Sequence, residues 1–321
     1  MAGPIIELEA VGKDFTVVSR AGKLRRTRST VHAVDDLTMT IDQGSMVGYI
    51  GPNGAGKSTT IKLCTGILVP SAGRVRVAGV DPSAARLALA RRICVVFGQR
   101  TQLWWDLPLG DSFDLLRHVY RVPADRHRAN VERFVALLDL GGFLHMAVRQ
   151  LSLGQRMRGE LAAALLHDPE ILFLDEPTIG LDLVSKDAVR QFLLSLNREQ
   201  GVTVLLTTHD LVDVERLCDR LLIVDRGRII EDSTVADIKA RHGAYRVLVV
   251  ELEEEQPPLE IPGTEVVRTE GRRQWLRFHR GDHTAAALLA RVAALAPVRD
   301  LSIEDTPIEE IVRHIYQSTT A

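Results

Sequence analysis

The sequence predicts an α/β fold with a mainly parallel core sheet, followed by a small α+β domain. Over residues 1–235, short apolar runs alternate with amphipathic stretches of helical periodicity. The runs are apolar almost throughout, as expected for strands that are covered on both faces. Around Thr234–Gly243 this alternation ends and a different pattern begins. We therefore expect one domain at residues 1–240 and a second at residues 241–321.

The candidate strands of the first domain are Met46–Ile50, Ile93–Phe97, Ile171–Leu174, Val202–Thr207 and Leu221–Val224. Between the second and third of these, residues 100–165 carry apolar side chains at helical spacing, which predicts a helical subdomain inserted between two strands. In the second domain, Tyr245–Leu252 and Arg273–His279 are predicted to be strands. Ala285–Leu295 and a final amphipathic segment are predicted to be helices.

The composition argues against several classes of protein. Lys and Arg total 40 against 42 Asp and Glu, a net charge of −2, whereas a nucleic-acid-binding protein usually has a clear basic excess. The scattered cysteines form no CxxC pair, which is typical of the reducing cytosol. The amino terminus has no signal-peptide pattern, and no apolar run reaches the ~18 residues that span a bilayer. Any membrane role is therefore expected to come through a partner.

The strongest motif is the stretch GPNGAGKS at residues 51–58, which fits the phosphate-loop pattern GxxxxGK[ST]. It follows the candidate strand Met46–Ile50 and precedes a predicted helix, Thr59–Gly66. Its glycines let backbone N–H groups face a phosphate, and the helix directs its positive end to the same anion. We expect Lys57 to reach the β- and γ-phosphates and Ser58 to ligate Mg²⁺. The residues predicted to bind the nucleotide here are Gly51, Asn53, Gly54, Ala55, Gly56, Lys57, Ser58 and Thr59.

Two acids end the apolar run Ile171–Leu174. Asp175 is predicted to hold Mg²⁺, and Glu176 to polarise the attacking water as a general base. For this chemistry we expect the strand to lie beside the phosphate-loop strand, so that its end reaches the nucleotide. Together with the phosphate loop, the paired acids predict a Mg²⁺-dependent nucleotide hydrolase.

Three further segments follow in a fixed order: Leu151-Ser-Leu-Gly-Gln155 before a long helix, Gly180-Leu-Asp182 after the acids, and His209 after a strand. Together with the phosphate loop, they resemble the signature motif, D-loop and switch histidine of ABC ATPases. Gln99 stands where that family has its Q-loop glutamine. The resemblance covers about residues 5–235 and implies a P-loop NTPase core of the ABC ATPase type.

The resemblance also implies a head-to-tail homodimer, in which ATP lies between the phosphate loop of one copy and the signature of the other. Gln99 is then expected to sense the γ-phosphate and Mg²⁺, and His209 to contact the γ-phosphate. The usual second glycine of the signature is Leu153 here, and we expect its side chain to point away from the nucleotide. The further residues predicted to bind ATP across the interface are Ser152, Gly154, Gln155 and Asp182.

Three other features have two interpretations each. Phe15 stands where the family stacks an aromatic ring on adenine, although a phenylalanine near a first strand also suits a core. The basic stretch Arg20–Arg28 is either a solvated hairpin tip or a contact for anionic headgroups or a partner's cytoplasmic loop. Trp104 and Trp105 follow Gln99, where the family contacts the membrane subunit. We expect at least one of them at the surface as an interface anchor; the alternative is that both pack within the helical subdomain.

The whole pattern most resembles the ATPase subunits of bacterial drug and natural-product exporters, which pair with a separate integral-membrane permease. It implies a peripheral protein at the cytoplasmic face of the cell membrane that hydrolyses ATP with Mg²⁺. Such a subunit binds neither nucleic acid nor the transported substrate. Importer ATPases are the near alternative. They often carry a small C-terminal barrel, whereas residues 241–321 are predicted to end in two helical segments.

Two rival functions come from other classes. Soluble ABC proteins that act on ribosomes or DNA usually have two ATPase units or a long coiled-coil insertion. This chain has one phosphate loop and neither insertion. A purely regulatory nucleotide-binding module would not need a general base such as Glu176 or a switch residue such as His209.

Overall fold

The computed structural model describes residues 3–21, 25–97, 101–243, 245–279 and 281–320, with the side chains of residues 18–21, 25–27, 319 and 320 left out. The chain divides into two compact units, Met1–Asp232 and Ser233–Ala321. This division comes earlier in the chain than the boundary at residue 241 that the sequence pattern predicted. The reason is that the helix Val235–His242 packs against the last helix of the second unit.

The strands of the first unit are β1 Pro4–Ala21, β2 Arg25–Asp42, β3 Met46–Ile50, β4 Ala72–Val77, β5 Ile93–Phe97, β6 Ile171–Asp175, β7 Thr203–Thr207, β8 Arg220–Asp225 and β9 Arg228–Thr234, the last crossing the division. Its helices are α1 Lys57–Cys64, α2 Arg86–Leu89, α3 Leu109–Tyr120, α4 Ala124–Leu137, α5 Leu153–Leu165, α6 Leu183–Gln200 and α7 Leu211–Leu217.

The central sheet has the strand order β5-β6-β7-β3-β8-β9, and the pairs from β5 through β8 are parallel. The predicted apolar runs are the strands β3, β5, β6, β7 and β8, with ends that differ by a residue at most. Every residue of β3 and β7 is buried, which explains why these runs are apolar on both faces. The predicted α/β fold with a mainly parallel core sheet is confirmed.

A second, antiparallel sheet has the order β2-β1-β4 and packs on the central sheet. The shared core includes Ile6 and Leu8 of β1, Leu37 of β2, Tyr49 of β3 and Ile61 of α1, all fully buried or nearly so. The helices α3, α4 and α5 come between β5 and β6 in the chain, so the predicted helical subdomain is confirmed. Among the described residues, no helix is both long enough and apolar enough to cross a bilayer.

The second unit consists of α8 Val235–His242, β10 Tyr245–Leu252, β11 Thr264–Glu270, β12 Arg273–His279, α9 Ala285–Leu295, β13 Val298–Asp305 and α10 Ile308–Thr320. Its strands form one antiparallel sheet of order β11-β12-β10-β13, with a core that includes Leu248, Phe278, Leu288 and Val292. Both predicted helical segments are present as α9 and α10, and a strand that the sequence did not predict, β13, separates them and pairs with β10. This unit has the small α+β character that the sequence predicted.

Candidate nucleotide-binding site

The predicted phosphate loop connects β3 to α1 at the carboxyl edge of the central sheet. Two of its glycines are required by geometry. A Cβ at Gly51 would lie 2.5 Å from the carbonyl oxygen of Val224. Gly56 has φ of +101°, and a Cβ there would lie 2.4 Å from the carbonyl oxygen of Ala33. The loop therefore passes close to β8 and β2 and has the tight turn that a phosphate cradle needs.

The remaining loop residues differ in exposure. Asn53 and Gly54 are exposed at the tip of the loop, Ala55 is buried, and Thr59 is half-buried in the first turn of α1. The N–H of Ala55 donates to the carbonyl of Pro52 at 3.1 Å, which closes the turn. The tip is thus open to a ligand while its base is fixed.

The side chain of Lys57 folds back over the loop. It is 9% exposed, and its Nζ donates to the carbonyl oxygens of Gly51 at 2.5 Å and Pro52 at 3.1 Å. Burial lowers the pKa of Lys57, while the carboxylates of Glu176 and Asp175 oppose this shift. The ammonium group is therefore held at the loop, beside two acids, where an incoming phosphate can replace the carbonyl oxygens as its partner.

Asp175, at the end of β6, reaches the phosphate loop. Its Oδ2 accepts a hydrogen bond from Ser58 Oγ at 3.2 Å, and its Oδ1 accepts one from Thr207 Oγ1 at 2.5 Å. The expectation that its strand lies directly beside β3 is wrong, because β7 lies between β3 and β6. The carboxylate reaches past the end of β7, over the small side chain of Thr207. Hydroxyl and carboxylate oxygens are ligands that Mg²⁺ prefers, so Ser58 and Asp175 fit the predicted metal site.

Glu176 stands in a strained backbone conformation, with φ of +58°. Its N–H donates to the carbonyl of Thr207 at 2.9 Å, which fixes it at the sheet edge. Its carboxylate meets His209 at both oxygens: Oε1 lies 3.2 Å from Nε2, and Oε2 accepts from the backbone N–H at 3.3 Å. Burial raises the pKa of Glu176, against the opposing influence of His209. The predicted base and the predicted switch residue are thus in direct contact.

The signature residues form the start of α5. Ser152 is the N-cap and forms a capping box with Gln155: Ser152 Oγ accepts from the N–H of Gln155 at 3.2 Å, and the N–H of Ser152 donates to Gln155 Oε1 at 2.9 Å. Gly154 is buried against α6, since a Cβ there would lie 2.4 Å from Ser185 Oγ. Asp182 is the N-cap of α6 and accepts from Ser185 N at 2.9 Å and Ser185 Oγ at 2.7 Å. These hydrogen bonds lower the pKa of Asp182.

Leu153, the departure from the usual signature, packs against the D-loop. A Cβ at Gly180, which has φ of +70°, would lie 2.9 Å from Leu153 Cδ2. The leucine side chain is half-buried there. The signature helix and the D-loop of one chain are therefore in contact through Leu153 and Gly154, and the exposed hydroxyl of Ser152 remains at the surface.

Phe15 and Gln99 are placed less directly. Phe15 lies on β1 opposite Val31 and is 37% exposed. Val31 is two residues along β2 from Ala33, which borders the phosphate loop, so Phe15 lies on the hairpin beside that loop. Gln99 is outside the described residues. It follows β5, whose last residue, Phe97, pairs with Asp175.

The surface features that the sequence singled out are partly described. Trp104 is 39% exposed and Trp105 is 49% exposed, so neither ring is fully packed within the helical subdomain. The guanidinium carbon of Arg156 lies 5.6 Å from the centroid of the Trp105 ring. Of the basic stretch Arg20–Arg28, only the last residue, Arg28, has a described side chain, and it is exposed. The rest of that stretch lies outside the described side chains.

Sequence reasoning missed polar residues that hold these segments in place. Thr207 fixes Asp175, and the sequence offered a signal, because hydroxyl groups end an otherwise apolar run. Asp213 on α7 is fully buried, accepts a hydrogen bond from the hydroxyl of Thr178 before the D-loop, and pairs with Arg190 of α6. The signal available in the sequence was that Asp213 is a charged residue next to the apolar positions of α7.

The described site thus combines a glycine-rich phosphate loop, a buried lysine and two carboxylates at the edge of a parallel sheet, which defines a P-loop nucleotide-binding protein. The profile of the ABC transporter family matches residues 34–179. The daunorubicin resistance ATP-binding protein of Streptomyces coeruleorubidus is 38% identical over 218 residues, or 68% of each chain. A methionine import ATP-binding protein of Listeria monocytogenes is 34% identical over 250 residues, 76% of this chain and 71% of the relative.

Solved structures agree. The dimeric post-hydrolysis structure of the ATP-binding cassette MJ0796, bound to ADP and Pi, matches with a TM-score of 0.61 and 26% identity, over 72% of this chain and 98% of that one. A component of the ABC transporter complex cbiONQ from Clostridium perfringens matches with a TM-score of 0.63. The chain belongs to the ABC transporter family, as an ATP-binding subunit with ATPase activity.

Proposed function

We propose that this subunit drives export of drugs or other small molecules through a separate integral-membrane permease, at the cytoplasmic face of the membrane. The observation that carries the ATPase part is the convergence of Lys57, Ser58, Asp175, Glu176 and His209 at one sheet edge. Three strands are needed to supply this set. Lys57 and Ser58 follow β3, Asp175 and Glu176 come at the end of β6, and His209 follows β7. The set matches what phosphoryl transfer needs: a phosphate cradle, metal ligands and a base.

In this proposal the residues have separate tasks. Lys57 holds the β- and γ-phosphates in place of its present carbonyl partners, and the loop N–H groups bind the same oxygens. Ser58, Asp175 and Gln99 would hold Mg²⁺, which neutralises phosphate charge when it is bound. Glu176 takes a proton from the attacking water, and its raised pKa makes it a stronger base than an exposed glutamate.

His209 has a switching task. In the described structure its ring and its N–H both contact Glu176. A γ-phosphate that accepts a hydrogen bond from His209 Nε2 frees Oε1 of Glu176 for the water. Phe15 stacks on adenine from the β1–β2 hairpin, for which its partly exposed ring is suited.

The proposal includes a homodimer. Ser152 is exposed at the positive end of α5, a suitable place for the γ-phosphate of ATP bound to a second copy. Gly154, Gln155 and Asp182 shape the same surface, since they cap and pack the starts of α5 and α6. The dimeric state of the similar cassette MJ0796 supports this arrangement. The transported substrate then contacts the permease and not this chain.

Export is favoured by the similarity to a daunorubicin resistance protein. Import remains the second candidate, because methionine import proteins match over a longer stretch of the chain. Within the described residues, the second unit has an open four-stranded antiparallel sheet and not the small barrel that importer ATPases often carry, which supports export.

Reconstitution with the permease of the neighbouring reading frame tests direction. Proteoliposomes that carry the ATPase on their outer face are given MgATP and daunorubicin. An exporter should then accumulate daunorubicin in the lumen. Glu176→Gln abolishes this flux, and Glu132→Gln, at an exposed site on α4, retains it. ATP-driven release of preloaded methionine would establish the importer, and a parent chain without ATPase activity would overturn the whole proposal.

A further inference from the structure

The stretch that follows Gln99 is attached to the signature region at several points. We call residues 101–107 the linking segment. The carbonyls of Trp105 and Leu107 accept backbone hydrogen bonds from Arg149 at 2.9 Å and Val148 at 3.0 Å, just before the signature. The side chains add a contact, because Arg149 Nη1 lies 3.1 Å from Asp106 Oδ1. The linking segment therefore follows the chain that leads into α5.

A buried carboxylate makes the attachment at the other end of the linking segment. Glu160 lies in the middle of α5 and is 4% exposed. Its Oε1 accepts a hydrogen bond from Thr101 Oγ1, and its Oε2 accepts one from the N–H of Gln102 at 3.2 Å. The amide of Gln102 also donates to the backbone carbonyl of Glu160 at 3.3 Å. The hydroxyl of Thr101 in turn accepts from the N–H of Leu103 at 3.0 Å, so the turn is closed around this one side chain.

The neighbouring glycine allows the close approach. A Cβ at Gly159 would lie 2.8 Å from Leu109 Cδ1 and 3.5 Å from Leu103 Cδ1. The linking segment thus lies directly on α5. Burial of Glu160 is costly for a carboxylate and raises its pKa, while the hydrogen bonds from Thr101 and Gln102 oppose the shift. A charged group at an otherwise apolar, alanine-rich part of α5 is explained by these donors, which would be unsatisfied beside an apolar side chain.

We propose that Glu160 is a positioning residue that ties the segment after Gln99 to the signature helix, so that the two shift together when nucleotide binds. This rests on the proposed function, because the position of α5 matters only if Ser152 must reach ATP on a second copy. Glu160 itself touches neither the phosphate loop nor the predicted base. Its loss should therefore leave ATP binding at the phosphate loop intact and lower the rate of the dimer-dependent step.

The test compares Glu160→Leu, Thr101→Val and the double variant with Glu132→Leu, the same chemical change at an exposed site on α4. Each is made in a Trp275→Phe background, so that Trp104 and Trp105 alone report on the linking segment. Affinity for a fluorescent ATP analogue should stay near the parent value. Because hydrogen bonds to a charged group are lost, kcat should fall about tenfold or more, with KM for ATP little changed. Quenching of the tryptophans by acrylamide should rise.

The two single substitutions remove the same hydrogen bond, so the double variant should be no worse than Glu160→Leu. Full additivity would overturn the proposal, as would unchanged kcat in both single variants. A purely structural role would overturn it too: Glu160→Leu would then lose thermal stability, analogue affinity and kcat in parallel while Thr101→Val matched the parent. A parent without ATPase activity would instead refute the proposed function, so the two failures are distinguishable.

Discussion

Replacement of Glu176 by glutamine should remove hydrolysis and leave nucleotide binding intact. The carboxylate contacts His209 at both oxygens, at 3.2 and 3.3 Å, whereas the phosphate loop is served by Lys57. The amide has the same shape but cannot take a proton from water. Loss of a general base typically lowers a rate ~10²–10⁴-fold. That range corresponds to a barrier higher by about 3–5 kcal/mol.

The sign of the pH dependence follows from the pKa of Glu176. Burial raises this pKa above the ordinary value of 4.5, so the folded protein binds the proton more tightly than the unfolded chain does. This contribution to stability is present below the unfolded pKa and is lost as the pH rises through the folded pKa. At neutral pH the glutamine variant should therefore melt no lower than the parent. The acid limb of kcat/KM in the parent, which reports the free enzyme, should lie above pH 4.5 for the same reason.

Phosphate release at saturating MgATP measures the rate, titration with a fluorescent ATP analogue measures binding, and thermal melting checks the fold. Glu132→Gln, at an exposed position on α4, is the matched control and should behave as the parent. A glutamine variant whose activity stays within twofold of the parent would refute the assignment of the base. Stable ATP-bound dimers of this variant on gel filtration would be further support.

Three other changes have distinct expected outcomes. Lys57→Ala should weaken binding of a fluorescent ATP analogue about tenfold or more, since a charge-assisted bond is lost, and unchanged affinity would mean that the loop is not the phosphate site. Trp104→Ala with Trp105→Ala should abolish transport at near-normal isolated ATPase activity, because aromatic anchors contribute about 2 kcal/mol or more each; a large fall in melting temperature with parallel loss of ATPase would favour packing. Asp213→Ala removes one of the carboxylates that pair with the buried Arg190, which keeps Asp187 and Asp210, and it leaves the hydroxyl of Thr178 without its acceptor. The free energy of unfolding in urea should therefore fall by about 1–3 kcal/mol, whereas Asp187→Asn, at an exposed position, should cost less.

The strands of the central sheet were predictable because their environment is uniform. β3 and β7 are buried at every residue, so selection for apolar side chains acts on the whole run. β11 and β13 were missed for the opposite reason. Both are edge strands of the second sheet, and most of their residues are exposed, so neither an apolar run nor a clean alternation marks them.

The order of strands could not be read from the runs themselves. A strand that is buried on both faces carries the same kind of sequence at any central position. The motif reasoning required Asp175 to meet Ser58, and the structure brings them to 3.2 Å although β7 intervenes. Thr207, at the end of β7, permits this because its side chain is short enough for the Asp175 carboxylate to reach over it. The hydroxyl of Thr207 also donates a hydrogen bond to that carboxylate.

The positions of the loops between the motifs could not be predicted, because contacts between residues far apart in the sequence hold them. The capping box of Ser152 and Gln155 is visible as S-x-x-Q, because the bonds are local. The attachment of Glu160 to Thr101 joins residues 59 positions apart, and only the fold brings them together. The single available signal was a glutamate among the buried alanines of α5.

The backbone conformation of Glu176 relates the fold to the proposed chemistry. A left-handed conformation costs a residue with a Cβ about 1–2 kcal/mol, and glycine would avoid that cost. Arg121 has a similar φ, but it ends α3, where this geometry closes a helix. Glu176 ends no helix. Its N–H is fixed by Thr207 and its carboxylate is directed at His209, so the strained turn aims the side chain across the sheet edge. The strain is explained if a carboxylate is needed at that point, which is the requirement of a general base.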